Sequence, residues 1–290
     1  MGFRTVVINS KSKIETSLNY LVVRNEEEKR IHMSEISILV IMSTAVSMTA
    51  AALCELTKNK IRILFCDEKY QPYGELMPYT QGFRSVKRIK EQIHWDQKNA
   101  AVVWKSIVQE KILNQQSLLA KRGYLEEAEL LLEYANSVLP GDVTNREGQA
   151  AKVYFHRLFG QNFRRSDELN FYNKCLNYGY QIILSAINRE INIMGYLTQL
   201  GVNHCSEFNA YNFGCDLMEP YRPFVDELAL SMEEGSLKWK HVISDILNKH
   251  VKIDDKNTTI GNSIAIYTKS CVNSLSQNIN AVKFPTDYEL

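Results

Sequence analysis

From Ile36 to Leu53 the chain reads ISILVIMSTAVSMTAAAL, eighteen residues without a charge, bracketed by Glu35 and Glu55. A stretch of that length has to be hidden from water, in a bilayer or in a protein core. Ser37, Ser43, Thr44, Ser47 and Thr49 dilute it, its first half is β-branched, and its second half is rich in Ala and Met. That shift points to a buried strand running into a buried helix rather than to a membrane span. With 45% hydrophobic residues, the chain has enough apolar material to build the core that hides it. The six cysteines are scattered without a CxxC pair, which argues against a zinc ribbon or a disulfide scaffold. Together with a start, MGFRTVVINSKSKIE, that lacks a signal-peptide apolar run, this predicts a cytoplasmic protein.

Around that stretch the chain changes character once. Residues 3–9, 14–24, 36–42 and 61–66 read as short strands, with a helix near Thr49–Asn59 between the last two. QPYGELMPYTQGF, within Tyr70–Phe83, then places two prolines and two glycines close together, the best candidate boundary in the chain. Beyond it helical spacing takes over in Val86–Lys121, Leu125–Leu139, Glu147–Phe159 and Leu169–Met194. The expectation is an α+β protein. Its parts are a β-rich N-terminal domain over 1–74, a linker over 75–85, and an all-α C-terminal domain over 86–290.

Three segments of the helical half carry candidate chemistry: TNREGQAAKVYFHRLFG from Thr144, LGVNHCSEFNAYNFG from Leu200, and CDLMEPYRPFVDELAL from Cys215. Each has a plain structural reading. Thr144 and Glu147 make the T-x-x-E of a capping box, in which the acid only satisfies a backbone N–H. His204 reads as an ordinary loop histidine, and Asp216 and Glu219, three apart, as a solvated acidic pair. Taken together, carboxylates and one imidazole form a mixed oxygen–nitrogen set that suits Mg²⁺ or Mn²⁺. Pro220 predicts that any helix here kinks or restarts, and that Glu219 before it leaves the helical region.

NREGQAAKVYF, followed by GVNHCSEFNAYNFGCDLMEPYRPFVD, resembles the CRISPR adaptation integrase in its type II form. LVVRNEEEKRIHMSEISILVI and PYGELMPYTQGFRSVKRIKEQI resemble its N-terminal domain and linker, so the likeness covers nearly the whole chain. The resemblance implies Glu147, His204 and Glu219 as catalytic metal ligands, with Asp216 a supporting acid. It also implies a reaction in which the 3′-hydroxyls of a short DNA fragment attack phosphodiesters at the borders of a CRISPR repeat. The implied partners are double-stranded DNA, a second copy of the chain, and a small ferredoxin-like adaptation subunit that completes a hetero-hexamer. The type II effector nuclease and a DNA-end-binding accessory protein follow from the same likeness. Two other readings share these residues: a metal-dependent nuclease acting on branched DNA in repair, and a non-enzymatic helical DNA-binding scaffold.

A formal net charge of +1 means that DNA affinity has to come from local patches. Arg84, Lys87, Arg88 and Lys90 crowd one candidate patch, and Arg157, Arg164 and Arg165 another. Contacts of this kind grip phosphates without reading sequence. Arg222, inside EPYRP, is a candidate either for holding a phosphate or for bracing the carboxylates. The resemblance makes Tyr20 a candidate for stacking on the end of the donor duplex.

Overall fold

The computed structural model describes residues 4–68, 72–76, 85–236 and 238–289. The N-terminal strands are β1 (Arg4–Ile8), β2 (Ser12–Ser17), β3 (Tyr20–Arg24), β4 (Glu28–His32), β5 (Ile36–Ile41) and β6 (Val46–Met48). Helix α1 (Ala50–Lys58), capped by the Thr49 hydroxyl, leads to β7 (Arg62–Cys66) and β8 (Pro72–Leu76). They form two four-stranded sheets, ordered β1-β5-β7-β8 and β4-β3-β2-β6. The strand expected over 14–24 is a hairpin instead. Leu18 and Asn19 both take positive φ, 49° and 67°, the backbone of a tight turn whose twist matches its strands. Strand β4, EKRIH, has no apolar run to betray it; it is an outer strand, where charge guards an open edge.

The uncharged stretch folds as β5, β6 and α1. Its apolar continuity has a geometric cause: β5 is paired on both sides and covered on both faces. Leu39 and Ile41 face the core shared with the second sheet, while Ile38 and Val40 face the helices, following the two-residue period of a strand. In β7, Ile63 and Leu64 divide in the same way. Among the described residues no helix is long and apolar enough to cross a membrane.

Helices α2 (Ser85–Ile93) and α3 (Gln97–Lys121) replace the single helix read over 86–121. Asp96 separates them by capping α3, its carboxylate accepting from the Asn99 N–H at 2.8 Å. Then follow α4 (Leu125–Asn136), α5 (Arg146–Phe159), α6 (Phe171–Ile193), α7 (Asn212–Met218), α8 (Arg222–Leu230) and α9 (Trp239–Ser244). The 23-residue α6 is buried nearly all round and forms the axis of this half.

The C-terminal half is mostly helical, but not all-α as expected. Strands β9 (His250–Ile253) and β10 (Lys256–Thr259) precede α10 (Ile260–Gln277), and β11 (Thr286–Glu289) pairs with β9. Asp254 and Asp255, with φ of 53° and 59°, make the hairpin turn, and Val251 and Ile253 alternate into the core. The described chain thus ends in a paired strand.

Candidate active site

Glu147 lies in the first turn of α5, but the capping-box reading of it does not hold. Asn145, in the left-handed region at φ 53°, caps the helix by accepting from the Gly148 N–H at 3.2 Å. Asp142 takes the next donors, accepting from Arg146 N–H at 2.8 Å and Glu147 N–H at 3.0 Å. The Glu147 carboxylate is therefore released from capping. It points to α3, where Lys111 Nζ donates to its Oε1 at 2.6 Å.

Glu219 reaches the same ammonium from another element. Helix α7 stops at Met218, residues Glu219–Tyr221 make one 3-10 turn, and α8 begins at Arg222. Pro220 therefore forces the expected restart. Asn114 of α3 holds the turn by donating to the Pro220 carbonyl at 2.9 Å. Glu219 itself keeps helical angles, φ −53° and ψ −44°, contrary to the expectation for a residue before proline. The proline sits in the first turn of a short tight helix, where its ring is accommodated, so its neighbour is not pushed out.

The Glu219 carboxylate is buried between two cations. Lys111 Nζ lies 2.5 Å from its Oε2, and Arg222 Nε donates to its Oε1 at 2.9 Å. Burial alone raises a carboxyl pKa; here the Arg222 guanidinium and the Lys111 ammonium outweigh it and hold Glu219 down at about 2. Burial also opposes the charge on Lys111, yet the two carboxylates more than compensate and keep the ammonium protonated. Arg222 lies over the Tyr180 ring at 4.6 Å while it pairs with the acid, the contact that a bracing role calls for. Behind it, Asp226 accepts from Tyr154 at 2.8 Å and from Tyr180, and burial pushes its carboxyl up to about 6.

His204 is carried by a loop that two side chains pin in place. Gln92 of α2 donates to the Leu197 and Leu200 carbonyls and accepts from the Leu197 N–H, all at 2.9 Å. Asp216 of α7 accepts from the backbone N–H groups of Val202, Asn203 and His204 at 2.5, 3.1 and 3.0 Å. The same carboxylate holds His204 Nδ1 at 2.6 Å, which, against some desolvation, raises the imidazole above its ordinary value. Gly201 makes this approach possible: a Cβ there would lie 2.3 Å from the His204 carbonyl and 2.7 Å from Asp216 Oδ2. Asp216 is thus an orienting acid, leaving the other ring nitrogen unused by this pair.

The structure therefore brings Glu147 and Glu219 together on the Lys111 ammonium, with His204 near enough to feel the charge of both. As the side chains stand, no group of three or more His, Cys, Asp or Glu among the described residues is closed around an ion position. Lys111 stands between the carboxylates instead. It was absent from the sequence reading, although its position was informative: Val103, Ile107, Lys111, Gln115 and Leu118 form one buried stripe of α3, where a lysine is out of place.

The donor set suits a divalent cation. Among the described residues, the buried Glu219 Oε2 is met by the Lys111 ammonium alone, so the site already holds a cation where two carboxylates converge.

The basic candidates are more scattered. Arg84 lies outside the described residues. Lys87 is exposed on α2; Arg88 is paired with Glu91 at 2.8 Å and lies 5.5 Å from the Tyr196 ring centre. Arg157 pairs with Glu127 at 3.1 Å. Arg164 is exposed, whereas Arg165 donates to the neutral amides of Asn173 and Asn177 and faces Tyr180 beside Arg222. Tyr20 opens β3, partly exposed, with its ring edge-on to His32 at 5.0 Å.

These features define an α+β protein with a strand-rich N-terminal region and a helical region that gathers acids from separate helices around one cation. The family model "CRISPR associated protein Cas1" matches residues 5–249, and the chain belongs to the Cas1 family. It is similar to a CRISPR-associated endonuclease Cas1 of Neisseria meningitidis serogroup C (strain 8013), 34% identical over 240 residues, 82% of this chain and 79% of that one. A casposase bound to integration product shares the fold, with a TM-score of 0.78 over 96% of this chain and 92% of that one, at 19% identity. So does a chain of a Cas6-RT-Cas1–Cas2 complex, with a TM-score of 0.73 at 17% identity; this chain spans 36% of that longer polypeptide.

Proposed function

We propose that this chain is a divalent-metal-dependent DNA strand-transferase that inserts short DNA fragments into CRISPR repeat arrays. The observation that carries the reading is the meeting of Glu147 and Glu219, from two separate helices, on one cation position. Glu147, Glu219 and the free nitrogen of His204 would hold Mg²⁺ or Mn²⁺, hard ions matched by this donor set. When bound, the ion neutralises charge on the scissile phosphate and lowers the pKa of an attacking hydroxyl.

The remaining work falls to the chain itself. A 3′-hydroxyl oxygen forms a bond to phosphorus, the bond from phosphorus to the repeat-side 3′ oxygen breaks, and the proton passes to the departing oxygen through solvent. The number of phosphodiesters is unchanged, so alignment and charge placement dominate. Arg222 fixes Glu219, Asp216 fixes the imidazole, and Arg165, set beside Arg222 on Tyr180, offers a cation towards a phosphate. Lys87, Arg88, Arg164 and Arg84 supply sequence-independent backbone contacts, and Tyr20 a stacking surface for the end of the donor duplex. The likeness to a Cas1–Cas2 assembly supports a Cas2-type partner. We extend the reading to a homodimer within a hetero-hexamer, assisted by the effector nuclease and an end-binding protein.

The test is a supercoiled plasmid bearing the repeat, incubated with a short duplex carrying free 3′-hydroxyls, the partner subunit and Mn²⁺. Joined half-site products are expected from the wild type and none from Glu147→Ala or Glu219→Ala. Hydrolysis of branched DNA without joined product would favour the repair nuclease, and metal-dependent joining by either variant would remove the site.

A further inference from the structure

Lys111 is the cation that both acids of the site share, and its position bears on how a metal would enter. Helical spacing places it on the buried stripe of α3, and its side chain is 9% exposed. Taking an ammonium out of water is costly, so a lysine on that stripe depends on its counter-charges. The lysine is retained between Glu147 and Glu219, which approach from α5 and from the turn between α7 and α8. With no cation there, two carboxylates would converge with only Arg222, on the Glu219 side, to offset their repulsion. A divalent ion bound to both oxygens at roughly 2.0–2.6 Å would need the space that Nζ fills at 2.6 and 2.5 Å from them. The two cations exclude one another.

We propose that Lys111 is an internal counter-cation. Its ammonium keeps the Glu147–Glu219 pair assembled in the metal-free protein and is displaced when a divalent metal binds, so that metal affinity is set by this competition. The proposal rests on the metal-site reading above. It accounts for a site whose acids are already drawn together while its third ligand, His204, remains on Asp216. The four-carbon stem of a lysine has the freedom to make such a move, which a fixed arginine fork on the same helix would lack.

Mn²⁺ titrations by calorimetry on the full-length wild type, Lys111→Met, Lys111→Gln and Glu219→Gln separate the possibilities. The wild type is expected to bind and Glu219→Gln to lose that binding. Both Lys111 variants are expected to bind about tenfold or more tightly than wild type, the low end of measured couplings between close charge pairs. Their unfolding temperature should fall below that of wild type without metal, and the gap should close at saturating Mn²⁺. Equal affinity in wild type and the Lys111 variants overturns the counter-cation proposal alone; equal affinity in wild type and Glu219→Gln overturns the metal site and the proposal with it. Should the Lys111 variants fail to fold, acetylation of the wild-type lysines followed by peptide mass spectrometry gives the answer. Lys111 should be protected without Mn²⁺ and modified with it, and protection unchanged by Mn²⁺ rules displacement out.

Discussion

Glu147 and Glu219 share one ammonium but are held by unlike surroundings. At the junction of α7 and α8, Glu219 is nearly inaccessible and is gripped by Lys111 and Arg222, while Asn114 fixes the turn beneath it. At the start of α5, Glu147 is a quarter exposed, and its only ion pair among the described residues is to Lys111. Charge buried on several sides is bound up with the stability of the fold, whereas charge at the rim is available for exchange. One acid thus anchors the site and the other closes it.

The largest expected effect follows from removing each acid in turn. Glu219→Ala leaves Lys111 and Arg222 buried with one counter-charge fewer, and loss of one partner from a buried pair costs about 3–5 kcal/mol. Glu147→Ala leaves Lys111 still paired with Glu219 and should cost no more than about 1 kcal/mol. Urea denaturation of the two variants measures both values. Equal losses would break the contrast between anchor and rim.

The orienting acid comes next. In Asp216→Asn the amide can no longer offer charge to His204, and losing the partner that orients a metal-binding imidazole weakens metal affinity by about 10–100-fold. The His204 pKa, raised in the native protein chiefly by the hydrogen bond to Asp216, should fall back towards its ordinary 6.5. Stability contributed by that pair is present below 6.5 and is lost as pH rises through the elevated native value. For metal binding the sign is reversed: the imidazole has to be neutral, so affinity in the wild type should fall on acidification earlier than for an unperturbed histidine. NMR titration of the ring protons in both proteins reads the shift directly, and identical titration curves would dismiss Asp216 as the cause.

A packing change of intermediate size tests the loop that carries His204. Gly201→Ala places a methyl against the His204 carbonyl and Asp216, and overpacking of this sort costs about 1–3 kcal/mol. The cost of Gly201→Ala should shrink, though not vanish, when Asp216 is also replaced by Ala, because the clashing carboxylate is then gone while the His204 carbonyl remains. Additive losses in that cycle would place the strain elsewhere.

How much of this was legible beforehand differs between the two acids as well. The motif around Glu219 showed the restart at Pro220, since a missing N–H is a property of the residue itself. What it hid was the conformation of Glu219, which depends on the short turn that follows. The likeness to an integrase family drew Glu147, His204 and Glu219 together, but spacing alone left each an ordinary cap, loop or surface residue. Lys111 was passed over because a lysine in a long helix is normally solvated, and only the stripe it shares with Ile107 and Gln115 marked it as buried. Strands β4, β9 and β10 were missed for a related reason: short strands rich in charged or polar residues are held by their pairing partners rather than marked by an apolar run of their own.

Acid should then test the hold on Glu219. Glu219 titrates at about 2 in the native protein against an ordinary 4.5. A depressed carboxyl contributes stability that is complete above 4.5 and is lost as pH falls from there towards 2. Wild type should therefore lose stability across that window more steeply than Glu219→Gln, as read by denaturant midpoints at successive pH values. Parallel curves would mean that Glu219 is not held by its cations.

The smallest effect concerns the cap that frees Glu147. A T-x-x-E pattern assigns the cap to Thr144, whereas the folded chain gives it to Asn145, whose side chain accepts from Gly148 and whose backbone occupies the left-handed region. Thr144→Ala should change stability by less than about 0.5 kcal/mol, the usual range for a surface position without a special role. Asn145→Ala should cost about 1 kcal/mol through the lost cap, and more through the unfavourable φ. Asn145→Gly should recover most of that difference, because glycine both tolerates the angle and serves at a cap. The ranking matters more than its size: a larger loss at Thr144 would return Glu147 to the capping box and take it away from Lys111.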